Sequence, residues 1–260
     1  MKYLFGDTDL AAKRLAALDE TFGTSSRRFV SRHAGDAPAL GVDLGCGPGH
    51  TTHMLADAAR TRRAVGLDRS EHFVALARET PAPGVSFCAH DVTELPLPAA
   101  PCDLMYCRFL LSHLGRPAER LGGWATQLRP GGRLLMEEVE SIRTRNSVFA
   151  VYVDIVAAML HAQGGALYVG RTLDALGDEV PLRRLSSDVA DVALSRPRAA
   201  RLFALNIGEW KHNEFIRANY PAALIDELER DLHALADAIT DRVDIAWGVR
   251  QLAYEREDGR

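Results

Sequence analysis

Gly45-Cys46-Gly47-Pro48-Gly49 closes a short apolar run at Ala39–Leu44, and here the chain first offers chemistry. Glycines let a backbone take positive φ and pass close to a bound molecule, and a helix beginning just after them offers free N–H groups to an anionic moiety. Two further apolar runs end in acids, Gly66-Leu67-Asp68 and Ala89-His90-Asp91-Val92. With Asp43 in the first run, three successive runs carry a carboxylate near their C-terminal ends. A carboxylate has two acceptor oxygens and can take both hydroxyl protons of one ribose, which suits Asp68. Asp91 can accept from an exocyclic amine while the N–H of Val92 meets a ring nitrogen. A G-x-G-x-x-G dinucleotide fingerprint needs glycine at position 50, where this chain has His50.

These residues converge only if strands and helices alternate. Apolar runs predict strands at Ala39–Leu44, Ala64–Asp68, Val85–Ala89, Asp103–Cys107 and Arg133–Val139, with helices at Thr51–Arg60, Glu71–Glu79 and Leu121–Leu128. That rhythm implies βαβ units and an α/β fold with a parallel sheet covered on both faces. In such a sheet a ligand sits beyond the C-terminal strand edges, where strand order reverses. Ahead of the sheet, helices are expected at Leu10–Leu18, capped by Asp7-Thr8-Asp9, and at Ser25–His33. After Val139 come a helix at Val148–Gln163, a strand in the second half of Leu182–Ser195, a helical stretch from Pro197 to Asp237 broken at Pro221, and a last strand at Asp244–Glu255. The chain thus divides as a single domain over 1–260. It has an N-terminal helical cap (1–38), a core (39–140) and a helical insertion between the last two strands (197–238).

Composition narrows the partners. With 47% apolar and 25% charged residues, the 260-residue chain has material for a core and is not disordered. Its net charge of −4 and the acidic balance of 197–238 argue against nucleic acid and anionic membranes. Cys46, Cys88, Cys102 and Cys107 have no CxxC spacing and no paired histidines at zinc-ligand distance, so no metal is expected. They read as buried thiols in a reducing cytoplasm. Val148–Leu160 is interrupted by Asp154 and falls short of the roughly 20 residues that span a bilayer. The N-terminus lacks the cationic start of a signal peptide. A cytoplasmic protein with no membrane partner is expected.

VDLGCGPG (42–49), GLDRS (66–70), AHDVTELP (89–96), CDLMYCRFLLSHL (102–114) and LRPGGRLLMEEVE (128–140) occur in that order. Together they resemble the motifs of the class I S-adenosylmethionine-dependent methyltransferases. The resemblance implies a doubly wound, mostly parallel, Rossmann-like seven-stranded sheet with helical lid additions. S-adenosylmethionine is the implied cofactor, with contacts from Asp43, Gly45, Gly47, Asp68, Arg69, Asp91, Val92 and Cys107. YLFGDTDLAAKRL (3–15) resembles the opening of a subset acting on small molecules. In that subset a Tyr and an Arg close over the methionine end, corresponding here to Tyr3 and Arg14.

The methyl acceptor leaves a fainter trace. His113 is a candidate general base, weighed against a packing histidine. Arg108 is a candidate partner for a substrate carboxylate through its planar fork, weighed against an ion pair with Glu137, Glu138 or Glu140. Glu138 and Glu140 share a strand face opposite Glu137, and Glu138 is kept as a substrate candidate. Tyr152 and Trp210 are expected to roof the pocket, weighed against ordinary packing. The D/N-P-P-Y/F turn of base-methylating enzymes is replaced by Cys107-Arg108-Phe109-Leu110, and no catechol-type carboxylate cluster can be assembled.

The function expected is methylation of O, N or C of a small organic molecule in secondary metabolism. The alternative is a cofactor-binding protein of the same fold with a non-methylating or scaffold role. Helices at 1–38 and 197–238 are expected to close over the strand ends with Tyr3, Arg14 and Trp210 near the pocket. If they instead face outward as dimerisation helices, a homodimer follows.

Overall fold

The computed structural model describes residues 6–176 and 180–257, so Tyr3 lies outside the described residues. The chain opens with α1 (Asp9–His33), whose first turn is capped by the Thr8 hydroxyl accepting from the Ala11 N–H at 3.2 Å. The two helices expected here are one. Phe22, Ser26, Phe29 and Val30 keep a single buried face, and the polar residues that read as a break find partners on the sheet.

Then follow β1 (Leu40–Leu44), α2 (His50–Ala58), β2 (Arg63–Asp68), α3 (Glu71–Arg78), β3 (Val85–Ala89) and β4 (Cys102–Arg108). A 3₁₀ turn at Leu111–His113 leads to α4 (Pro117–Ala125), β5 (Leu128–Thr144), α5 (Ser147–Ala162) and α6 (Val169–Ala175). The C-terminal part holds β6 (Arg183–Ser195), α7 (Arg196–Trp210), α8 (Glu214–Asn219), α9 (Ala222–Ala236) and β7 (Val243–Glu255).

The seven strands form one doubly wound sheet in the order β3-β2-β1-β4-β5-β7-β6. β1 to β5 pair in parallel, and β7 runs antiparallel to both of its neighbours. Strand order reverses between β1 and β4, so the C-terminal edges of those strands frame a crevice.

Both faces are covered. Phe29 and Val30 of α1 and Met54 and Leu55 of α2 pack on Leu104, Tyr106 and Leu135. Leu121 and Trp124 of α4 and Val169 and Leu173 of α6 pack with Val42, Met105 and Leu134. β5 continues past the expected end at Val139, and its extension with β7 supports a separate cluster. There α5 (Phe149, Val156), α7 (Phe203, Ile207) and α9 (Leu228, Leu232) meet Trp247 and Val249. Trp210 is fully buried in that cluster and lines neither of the two cavities described below, so packing rather than a roofing role accounts for it. Among the described residues, no helix is long and apolar enough to cross a membrane.

Candidate functional site

The loop after β1 takes its shape from glycine. Gly45 has φ +69°, and a Cβ there would come within 2.8 Å of Leu110 Cδ1. Gly47 has φ +51°, also a conformation that side-chain-bearing residues rarely adopt. The Gly45 and Cys46 N–H groups donate to Leu67 O at 2.8 and 3.0 Å, which pins the loop to the end of β2.

Asp43 braces this loop from behind. It is buried, and its Oδ2 accepts from the Thr51 and Thr52 hydroxyls at 2.6 and 2.7 Å, fixing the first turn of α2. Burial raises its pKa to about 7 against those two bonds. It does not line the cavity, so its expected direct cofactor contact is corrected to a supporting position.

Asp68 closes β2 at the front of the loop. Its Oδ2 accepts from Gly47 N–H at 2.9 Å and its Oδ1 from Ser70 N–H at 2.8 Å. Burial pushes its pKa up, and those backbone N–H groups oppose the shift. Asp91 follows β3 and forms an Asx turn, its Oδ1 accepting from Thr93 N–H at 2.9 Å and Thr93 Oγ1 at 2.7 Å. Burial pushes its pKa up, but the Thr93 bonds outweigh this and hold it below the usual carboxylate range.

The fourth and fifth strand ends split their roles by strand alternation. Tyr106 and Arg108 point toward α1. Arg108 pairs with Asp19 at 2.9 Å and donates to Ser26 Oγ at 3.1 Å, so its ion-pair partner is a helix acid rather than a strand glutamate, and it also lines the cavity described below. Glu137 accepts from Tyr106 Oη at 2.5 Å and Gln251 Nε2 at 2.7 Å on the same face.

Cys107 points the other way into the core and is fully buried, which removes it from the cofactor contacts. Glu138 is buried as well, and its Oε1 accepts from Leu110 N–H at 2.7 Å and Leu111 N–H at 2.6 Å. Burial raises its pKa to about 8. It lines neither the cofactor cavity nor the smaller one beside it, and its expected substrate role is corrected to that of a clamp on residues 109–113. Phe109 in that segment sits at φ +55°, a strained conformation for a side-chain-bearing residue, with its N–H held by Glu137 O at 2.8 Å.

These elements enclose a cavity of about 850 Å³ lined by Gly45, Gly47, Asp68, Arg69, Asp91 and Val92. Arg14, Leu15 and Leu18 of α1 cover it, while Phe109 and His113 form the wall after β4. Arg14 is almost fully buried. The His113 ring opens on this interior space, and burial next to the Arg14 and Arg69 guanidiniums lowers its pKa to about 3. A second cavity of about 110 Å³ borders the first, sharing Arg14, Leu18, Phe109 and His113. Tyr152 lines it, stacked on Phe203 with ring centroids 3.9 Å apart.

Sequence reasoning missed several lining residues. Asp7 accepts from Ser70 Oγ at 3.2 Å, joining the segment before α1 to the start of α3. It read only as part of a helix cap. Thr51, Leu18 and Phe109 carry no pattern that separates them from ordinary helix or loop positions. Asn206 did leave a signal, a polar residue among Leu202, Phe203 and Ile207 on the buried face of α7.

A doubly wound sheet with a glycine loop and two acids at its switch point defines an α/β protein built to hold a nucleoside. Residues 42–132 match the family model described as a methyltransferase domain. A trans-aconitate 2-methyltransferase of Variovorax paradoxus is 30% identical over 80% of this chain and 79% of its own length. One from Methylobacterium nodulans is 39% identical over 41% of this chain and 40% of that protein. The matches to the first curated relatives span less than half of those proteins' length.

Among solved structures, a cyclopropane synthase from Mycobacterium tuberculosis superposes with a TM-score of 0.57 at 16% identity, covering 89% of this chain and 83% of that one. A Haemonchus contortus phosphoethanolamine N-methyltransferase in complex with S-adenosyl-L-methionine gives 0.53 at 16% identity, over 97% and 58%. At such identities the likeness is one of fold. The chain belongs to the class I S-adenosylmethionine-dependent methyltransferases, and S-adenosylmethionine is the cofactor of that family.

Proposed function

We propose that this protein transfers a methyl group from S-adenosylmethionine to O, N or C of a small organic molecule of the kind secondary metabolism supplies. One observation carries the proposal: a single cavity collects the glycine loop, Asp68, Asp91 and Arg14 at the C-terminal strand edges of the sheet. The residues fit the cofactor. Asp68 is fixed by two backbone N–H groups with lone pairs left for ribose hydroxyls. Asp91 uses one oxygen on Thr93, which leaves the other, with the Val92 N–H, for the adenine edge. Arg14 would hold the methionine carboxylate.

When bound, the cofactor supplies a methyl group already activated on a sulfonium. The chain's own work is then to exclude water and hold a nucleophile in line. α1 covers the cavity through Leu15 and Leu18. His113, neutral across the physiological range, can accept a hydrogen bond from the nucleophile and so orient it. A cytoplasmic setting belongs to the same proposal, since the four cysteines are free thiols and three are buried.

The test is incubation with methyl-labelled cofactor and a metabolite extract, with trans-aconitate, for which the relatives are named, in a parallel reaction. Label in a small organic product is expected. Label found only in protein or RNA would overturn the proposal, and label that never leaves a cofactor shown to bind would favour the non-methylating alternative.

A further inference from the structure

Resting on that proposal, we infer that the methyl acceptor is a compact apolar molecule with two polar ends, one presented beside His113 and the other read by Asn206 and Tyr152 in the smaller cavity. That cavity borders the cofactor cavity at Arg14, Leu18, Phe109 and His113, so a molecule seated in it reaches toward the place where methyl transfer would occur. Its remaining walls are mostly apolar, with Ile142, Val153, Val156 and Leu202 among them. Roughly 150 Å³ of apolar cavity takes a benzene ring. The smaller cavity, at about 110 Å³, falls short of that, so it takes a short branched chain, or a single ring that reaches past the shared residues Arg14, Leu18, Phe109 and His113 toward the larger cavity.

The polar pair at its wall tells what the far end of that molecule must be. Asn206 is 8% exposed and donates through Nδ2 to Tyr152 Oη. Its Oδ1 is buried with no hydrogen-bond partner among the described residues. A buried acceptor left unmade is destabilising, and native proteins keep few of them. Here it lines the cavity on a helix face that is otherwise apolar.

Because Tyr152 Oη accepts the Asn206 N–H, its own proton is available in another direction, and Tyr152 also lines the cavity. Burial pushes Tyr152 up to about 12, so it remains a neutral hydroxyl. Together the two offer an acceptor and a donor, which matches a hydroxyl on the ligand. Neither residue lines the cofactor cavity, so the group they read is distinct from the one methylated beside His113.

The test uses protein saturated with S-adenosylhomocysteine and titrated with hydroquinone or p-xylene, two molecules of like size that differ in their polar ends. Ligand-observed NMR should show hydroquinone binding at least about tenfold more tightly. In Asn206→Leu and in Tyr152→Phe the preference should fall to about twofold or less, while S-adenosylhomocysteine affinity stays unchanged. Asn206→Leu removes an unpartnered acceptor together with the Asn206 N–H bond to Tyr152 Oη, and the circular dichroism of both variants should match that of the unaltered protein. Equal binding of the two probes, no binding of either to cofactor-loaded protein, or a preference that survives both substitutions would overturn the inference alone. Failure to bind S-adenosylhomocysteine would remove the proposed function and this inference with it.

Discussion

Asp68 carries two loads on one carboxylate, since it fixes the Gly47 and Ser70 N–H groups and faces the cavity where ribose hydroxyls would lie. Removing a charged acceptor from such a site typically costs about 1.5–3 kcal/mol. Asp68→Ala should therefore weaken S-adenosylhomocysteine binding by more than about tenfold. Calorimetry that finds the affinity unchanged would take the ribose assignment away. His113 calls for a different experiment. Burial and two guanidiniums hold its pKa at about 3, which makes it a weak proton acceptor at neutral pH but a sound hydrogen-bond partner. Losing a general base typically lowers a rate by about 10²–10⁴-fold. His113→Gln, which keeps a neutral polar side chain, should stay within about tenfold of the original turnover. A loss of three orders of magnitude, with an ionisation missing from the pH profile, would instead make His113 the base.

At the scale of elements, α1 is docked by polar contacts on the sheet. Arg108 of β4 reaches Asp19 and Ser26, and Gln251 of β7 reaches Ser25 at 3.3 Å. Breaking a fully buried ion pair costs about 3–5 kcal/mol. Asp19 is 29% exposed, so screening reduces this, and Asp19→Ala should lower unfolding free energy by about 1–3 kcal/mol. Denaturant unfolding measures it, and a change within error would mean that apolar packing alone seats the helix. Hydrogen exchange should show S-adenosylhomocysteine protecting residues 9–20 and 109–114, with 207–220 unchanged, because α7 borders only the smaller cavity. Protection confined to the glycine loop would deny α1 a covering role. The same contacts explain what was legible in the sequence. The ends of β1, β2 and β3 could be read because glycine and acid types are local requirements of a tight turn and a ribose site. The continuity of α1 could not, since Asp19, Ser25 and Ser26 break a helical pattern unless their distant partners are known. The first half of β6 lies at the sheet edge and alternates too weakly to stand out. The Asn206–Tyr152 pair is invisible for another reason, because 54 positions separate two residues that only folding unites.

For the molecule as a whole, the buried acids under the site set how stability responds to pH. Asp43 and Glu138 hold their protons to about 7 and about 8 in the folded chain, against ordinary values of 3.8 and 4.5. A carboxyl whose pKa is raised on folding stabilises the native state fully below its unfolded pKa, and that contribution is lost as pH rises through the folded one. Asp68, also raised, acts in the same direction. His113 acts oppositely, being neutral when folded and titrating near 6.5 when unfolded, so its penalty appears only as pH falls below 6.5. Between pH 4.5 and 6.5 the histidine therefore offsets one of the two acids, and above 6.5 both act unopposed. From pH 6.5 to 8, Asp43 and Glu138 together should withdraw about 2–3 kcal/mol of unfolding free energy, at about 1.4 kcal/mol for each unit of pH and group. Urea unfolding at those two pH values should show the midpoint falling as pH rises, and the Asp43→Asn, Glu138→Gln double variant should flatten the difference. A midpoint that climbs over this range, or a slope that the double variant leaves intact, would mean that the two carboxyls are already ionised in the folded protein.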